Sequence, residues 1–280
     1  MARQNNTAID EVNEMLSSET ISIFERNRLK EYLAWASEFS KYSARNQALI
    51  HHQNPEATMV AGYGDWEKQG RHVLKGQKGI KIFAAMRKKR VENKKDANGN
   101  IIYGPNGKPE TEITWEHIGW TVKYVFDVSQ TAGKPVPSLT TMLHGKVDGY
   151  EEVVAKLSHV SPVPVEFKCR ADEFGYPAGE NAVVLDPEWT QQQTLQILLP
   201  SVAAAIMSQN GPVVSYDSLE AESAAYVVAK HMGIDADYDF DYIADWKSNK
   251  DAGELVEALA GIMDTARTVI TSMQPEIARR

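Results

Sequence analysis

At 280 residues, with 42% hydrophobic and 24% charged side chains, the chain has the length and balance of a globular protein with two domains. A single cysteine, Cys169, excludes an intramolecular disulfide and a cysteine-cluster zinc site and fits a reducing, cytoplasmic setting. The net charge of −8 is unevenly spread: residues 1–135 carry 20 Lys+Arg against 16 Asp+Glu, and residues 136–280 carry 10 against 22.

The opening residues lack the basic start and apolar run of a secretory leader, and no stretch is apolar enough to span a membrane. Residues 8–35 read as helical, with apolar stripes through Ile9, Val12, Met15 and Leu16 and then through Ile23, Phe24, Leu29 and Leu33. Residues 31–50 continue as helix and turn, stopping at Asn54-Pro55. From 58 to 128 the pattern turns to strands. In 118–128 the residues Trp120, Val122, Tyr124, Phe126 and Val128 alternate as one face of a period-2 strand. Between the strands, 87–112 is basic and holds Asn98-Gly99 and Asn106-Gly107, which predicts a protruding hairpin or a mobile loop.

Gly133, Pro135 and Pro137 mark 129–139 as a linker. Beyond it the expectation is a helix near 147–158 and a strand pair, 163–168 and 181–186, joined by a glycine-bearing turn. Three further helices follow. The first is capped by Thr190 with Gln193, the second by Asp217 and ended by Gly233, and the last covers 253–273.

The block 41–95 holds 13 basic residues against 4 acidic ones. Tyr42, Tyr63, Trp66 and Phe83 are interleaved there with Arg45, Lys68, Arg71, Lys75, Lys78 and Lys81. Cations that track phosphates beside rings that stack on bases are what single-stranded nucleic acid requires. Ser43 and Asn46 could add hydrogen bonds to phosphate or base edges. A solvated lysine-rich face gives the same charge count, and Trp66 and Phe83 suit a core better than a stacking platform. The candidate nucleic-acid-binding set is Tyr42, Ser43, Arg45, Asn46, Trp66, Arg71, Lys75, Lys78 and Lys81.

The order Y-S-x-x-N at 42–46, Trp66, G-R-x-V-x-K-G-x-K-G-I-x-I at 70–82 and F-D-V-S-Q-T-x-G-x-P-x-P at 126–137 resembles the N-terminal domain of ArdC-type antirestriction proteins of conjugative plasmids and other mobile elements. The resemblance implies a domain that binds single-stranded DNA, followed by a zincin-like metallopeptidase domain. The implied fold class is α+β. A mixed helix and antiparallel-sheet domain over 1–137 would precede a mostly helical domain with a small sheet over 138–280.

The resemblance also places an H-E-x-x-H helix on residues 200–204, where this chain has Pro200, Ser201, Val202, Ala203 and Ala204. Two histidines one turn apart hold zinc and the glutamate between them acts as the base. Proline and alanine offer no donor. Glu220 or Glu222 matches the implied third ligand, and one carboxylate does not make a zinc site. Pro200 also predicts a kink or break near 196–200, unless it starts the helix. The expectation is therefore a metallopeptidase-like domain without catalysis, metal or cofactor. Its implied partners are single-stranded DNA and a restriction or other nuclease protein, with no membrane. A pure protein-interaction module and a hydrolase with a rebuilt site are the rival readings.

Overall fold

The computed structural model describes residues 2–25, 28–39, 41–96, 99–136, 149–168, 181–209, 211–234, 236, 238 and 240–273. It is a mixed helix and sheet fold in which the strand pairs of the first half are antiparallel, as the sequence implies. Helices α1 (Ala2–Ile23), α2 (Arg28–Ala36) and α3 (Ala44–Gln53) come first. Strand β1 (Val60–Gly62), the short helix α4 (Tyr63–Lys68) and β2 (Arg71–Val73) follow. The long strands β3 (Ile80–Asn93) and β4 (Thr111–Asp127) then form an extended ribbon. The sheet order is β1-β4-β3, all antiparallel.

The stretch expected as a linker is built into the fold up to residue 136. Residues 128–130 form a 3-10 turn, and β5 (Thr131–Gly133) pairs with β2. The turn is locked by Asp127, whose carboxylate accepts the backbone N–H groups of Ser129, Thr58 and Met59 at 2.9–3.1 Å. Burial alone would raise the Asp127 pKa, and these donors outweigh it and hold the carboxyl below its ordinary value. Gly133 has φ +139°, and a Cβ there would lie 2.4 Å from the Gly70 carbonyl, so only glycine lets β5 approach β2 this closely. Residues 137–139 of the expected linker lie outside the described residues.

In the second half, α5 (Tyr150–Val160) leads to β6 (Val165–Phe167) and β7 (Val183–Leu185). These two strands are parallel, so a tight turn does not join them. The glycine-bearing segment expected as that turn and Cys169 lie outside the described residues. Helices α6 (Gln191–Ser208), α7 (Leu219–Met232), α8 (Ile243–Lys247) and α9 (Ala252–Met273) complete the chain. Thr190 and Gln193 form the expected capping box, and Gly233 ends α7 in the left-handed conformation. The cap of α7 is Ser218, not Asp217: its hydroxyl accepts the N–H of Ala221.

Two apolar clusters hold the fold. The smaller one lies against the sheet and joins Phe39, Ile50, Val60, Ile80, Ile82 and Val125. The larger one draws on both sides of residue 137. Leu29, Leu33 and Leu49 from the first half are buried with Leu198, Val228 and Ile262 from the second.

Candidate nucleic-acid interface

The structure places most of the sequence-predicted contact residues in the framework. Trp66 is fully buried and donates its indole N–H to the Phe126 carbonyl at 2.9 Å, which removes it from any stacking surface. Tyr42 is half-buried, donates its hydroxyl to the Val60 carbonyl at 2.8 Å, and has its pKa raised by burial and by Asp65. Ser43 caps α3 and accepts the N–H of Asn46. The Asn46 amide is spent on the backbone of Phe83, donating to its carbonyl at 3.0 Å and accepting its N–H at 2.9 Å. Gln53, two turns on, does the same to Lys81 at 2.9 Å in both directions. Side-chain amides of α3 thus satisfy the outer edge of β3, which would otherwise be open to pairing with another strand.

Arg71 binds the Thr131 hydroxyl at 2.8 Å and the Thr131 and Lys134 carbonyls, tying β2 to β5. Arg45 pairs with Glu257 of α9 at 2.7 Å, and Lys81 with Glu11 of α1 at 2.6 Å. Of the nine candidates, Lys75 and Lys78 are exposed cations with no ion pair among the described residues, in the turn that leads into β3, and Arg45 is exposed but paired with Glu257.

The open surface lies further out on the same sheet. Beyond residue 86, β3 and β4 form a ribbon exposed along nearly its whole length, so the basic segment is a hairpin arm. Its end carries two small turns, closed by the bridges Lys95↔Ile101 and Tyr103↔Pro109, and Gly107 supplies the positive φ that the second requires. Asn98 of the first Asn-Gly pair lies outside the described residues.

Register fixes the faces of the arm. Lys81 pairs with Tyr124, Phe83 with Val122 and Ala85 with Trp120. A bulge follows: Met86 pairs with Gly119 and Arg87 with His117, leaving Ile118 as the extra residue. Past it, Lys89 pairs with Trp115 and Val91 with Ile113. Partners directly opposite point to the same side of a sheet, and β3 alternates without interruption. Arg87, Lys89, Trp115, His117 and Trp120 therefore share one face, and the His117 and Trp120 rings lie 5.1 Å apart on it.

Trp115 is 61% exposed, Trp120 50% and Tyr124 53%. Large apolar side chains are rarely left so open without a use. No acidic residue of either strand lies on this face. Glu92, Glu112 and Glu116 all stand on the opposite one, where Arg90 reaches Glu116 at 2.7 Å. Sequence reading had Trp120 and Tyr124 as strand residues and missed Trp115 and His117. The available signal was the alternation of acidic and apolar residues over 112–116, opposite a basic strand.

Residues 200–204 lie inside α6, which runs unbroken through Pro200, so neither a break nor a helix start occurs there. Val202 and Ala204 are fully buried, and the Ser201 hydroxyl donates to the Ile197 carbonyl at 2.6 Å. On α7, Glu220 accepts the Trp246 indole N–H at 3.1 Å, and Glu222 accepts the Tyr242 hydroxyl at 2.8 Å. Burial, with the neighbouring Glu222, pushes the Tyr242 pKa up, so it stays a donor. Among the described residues no group of three or more His, Cys, Asp or Glu is arranged to hold a metal. This donor set does not fit a zinc ion. His231, at the end of α7, sits 3.0 Å from the Ser37 carbonyl. A cavity of about 450 Å³ between α2 and α7 is lined by Glu25, Glu31 and Asp241 against one cation, Lys30, a balance that disfavours phosphate. Among the described residues no helix is long and apolar enough to cross a membrane.

Comparison with known proteins agrees with this architecture. Residues 7–123 match the family described as the N-terminal domain of anti-restriction factor ArdC. The crystal structure of the antirestriction ArdC protein from the R388 plasmid in its Mn(II)-bound form shares the fold, with a TM-score of 0.52 and 14% identity over 94% of this chain and 98% of that one. The metal-free structure of the same protein gives a TM-score of 0.46 at 14% identity, over 83% of this chain and 85% of that one. An uncharacterized Bacillus anthracis protein, pXO2-81, is 24% identical over 89% of this chain, which spans only 48% of that relative's length. The likeness to the N-terminal domain of anti-restriction factor ArdC thus falls on residues 7–123, the part of the chain that carries the basic arm.

Proposed function

We propose that this protein binds single-stranded DNA through its N-terminal half, in an antirestriction role that shields the strand by occupying it, and that its second half is a zincin-like fold without catalysis. The observation that carries the reading is the exposed combination of rings and cations on the β3–β4 sheet. Unpaired bases offer their faces to such rings while the phosphates meet the cations. For the second half, the support is chemical: the helix positions that would hold a metal bear side chains without donors and are packed shut.

The test is fluorescence anisotropy with a labelled single-stranded oligonucleotide at two salt concentrations. Binding is expected at low salt, and its logarithm should fall linearly with the logarithm of salt, because phosphate contacts release counterions. A duplex of the same sequence should bind more weakly. Failure to bind at low salt would overturn the reading in favour of a protein-interaction module.

A further inference from the structure

Resting on that reading, we infer that the contact surface is one face of the β3–β4 arm, with Trp115 and Trp120 as stacking platforms and Arg87 and Lys89 as phosphate clamps. The residues of 41–71 that the sequence favours are not that surface.

Three observations bring this together. First, the bulge at Ile118 aligns side chains that strict alternation would separate. Trp115 and His117 have odd numbers and Trp120 an even one, yet all three face the same way because one residue is left unpaired. Second, charge is sorted by face. Arg87 and Lys89 stand among rings with no strand carboxylate beside them, whereas Arg90, on the other face, is held by Glu116 and lies 4.0 Å from Glu92. A solvated surface of no function has no reason to sort its carboxylates this way, whereas a polyanion on one face does.

Third, the face continues toward the one pair of sequence-predicted cations left open. Tyr124 packs against Gly79, where a Cβ would come within 3.0 Å of it, and Lys78 and Lys75 lie just before that glycine. The track runs Lys78, Tyr124, Trp120, Arg87, Trp115. Trp115 and Trp120 lie opposite Lys89 and Ala85, four residues apart on β3, which is about 13 Å along the strand. A duplex buries its base faces in its own stack and cannot use both rings, so the chemistry selects an unpaired strand.

The experiment compares the full-length protein with three double variants in the same anisotropy assay, on a single strand and on an abasic strand of equal length. The W115A/W120A variant should lose about tenfold or more in affinity for the base-bearing strand and lose the preference for it over the abasic one. The R87Q/K89Q variant should weaken binding to both strands and lower the salt slope by about 1.4, at roughly 0.7 per phosphate contact. The K88Q/R90Q variant removes the same charge from the opposite face and should leave the slope nearly unchanged. These side chains are solvent-facing, so circular dichroism should find all three variants folded.

Equal losses in R87Q/K89Q and K88Q/R90Q would overturn the assignment of the face. Unchanged base preference in W115A/W120A would overturn the stacking role, while wild-type binding upheld the broader reading. No binding by the wild type would overturn both.

Discussion

At the scale of single residues, Pro200 shows how a helix tolerates a residue that should break it. Proline has no N–H to give the carbonyl four residues back, which is that of Gln196. The Tyr238 hydroxyl donates to that carbonyl instead, at 3.3 Å. Tyr238 is buried, and burial raises its pKa, so the proton stays in place at any ordinary pH. Tyr238→Phe should cost about 1 kcal/mol in urea unfolding, the net worth of one buried hydrogen bond. In a Pro200→Ala background the backbone N–H returns, so the same substitution should cost measurably less. A double-mutant cycle reads the difference directly, and additivity would refute the replacement. The side chains that carry the family resemblance behave similarly. Asp127, Thr131, Gly133, Arg71 and Asn46 all close hydrogen bonds or permit a close approach within the framework. Their spacing marks a shared framework.

Among the elements, the arm depends on its bulge. Gly119 has φ +139°, and a Cβ there would meet the Met86 side chain at 3.3 Å. Gly119→Ala should therefore cost about 1–3 kcal/mol of backbone strain. Thermal unfolding followed by circular dichroism measures it. Deleting Ile118 removes the bulge yet keeps His117 opposite Arg87 and Glu116 opposite Lys88, so the sorted faces of the arm should survive it. The helices were largely legible in the sequence, because their apolar stripes, the Thr190 box and the Gly233 stop are local signals. The arm was legible as a hairpin but not as a surface. Period-2 reading of 118–128 puts Trp120 and Tyr124 on one face without saying whether that face is open, and no local signal announces that Ile118 breaks the period. The parallel pairing of β6 and β7 was equally hidden, because strand direction is decided by the path of the intervening chain. The burial of Trp66 agrees with the preference of large aromatics for the core, which outweighed its place among lysines.

For the whole molecule, charge and packing pull the halves into different roles. The basic arm belongs to the first half, and the acidic surplus lies in the second, which would repel a phosphate backbone from all but the arm side. Protein incubated with Zn(II) or Mn(II) and then desalted should retain no stoichiometric metal by elemental analysis. A bound equivalent, lost in Glu220→Ala, would show a rebuilt site and reopen the hydrolase reading. The larger apolar cluster makes the second half a structural support for the first. Leu29, Leu33 and Leu49 are roofed by α7 and α9, so a chain cut near residue 136 would bare that oily underside to water and invite aggregation. Whatever chemistry the second half has, its walls cannot be dispensed with, because its neighbour leans on them to stand.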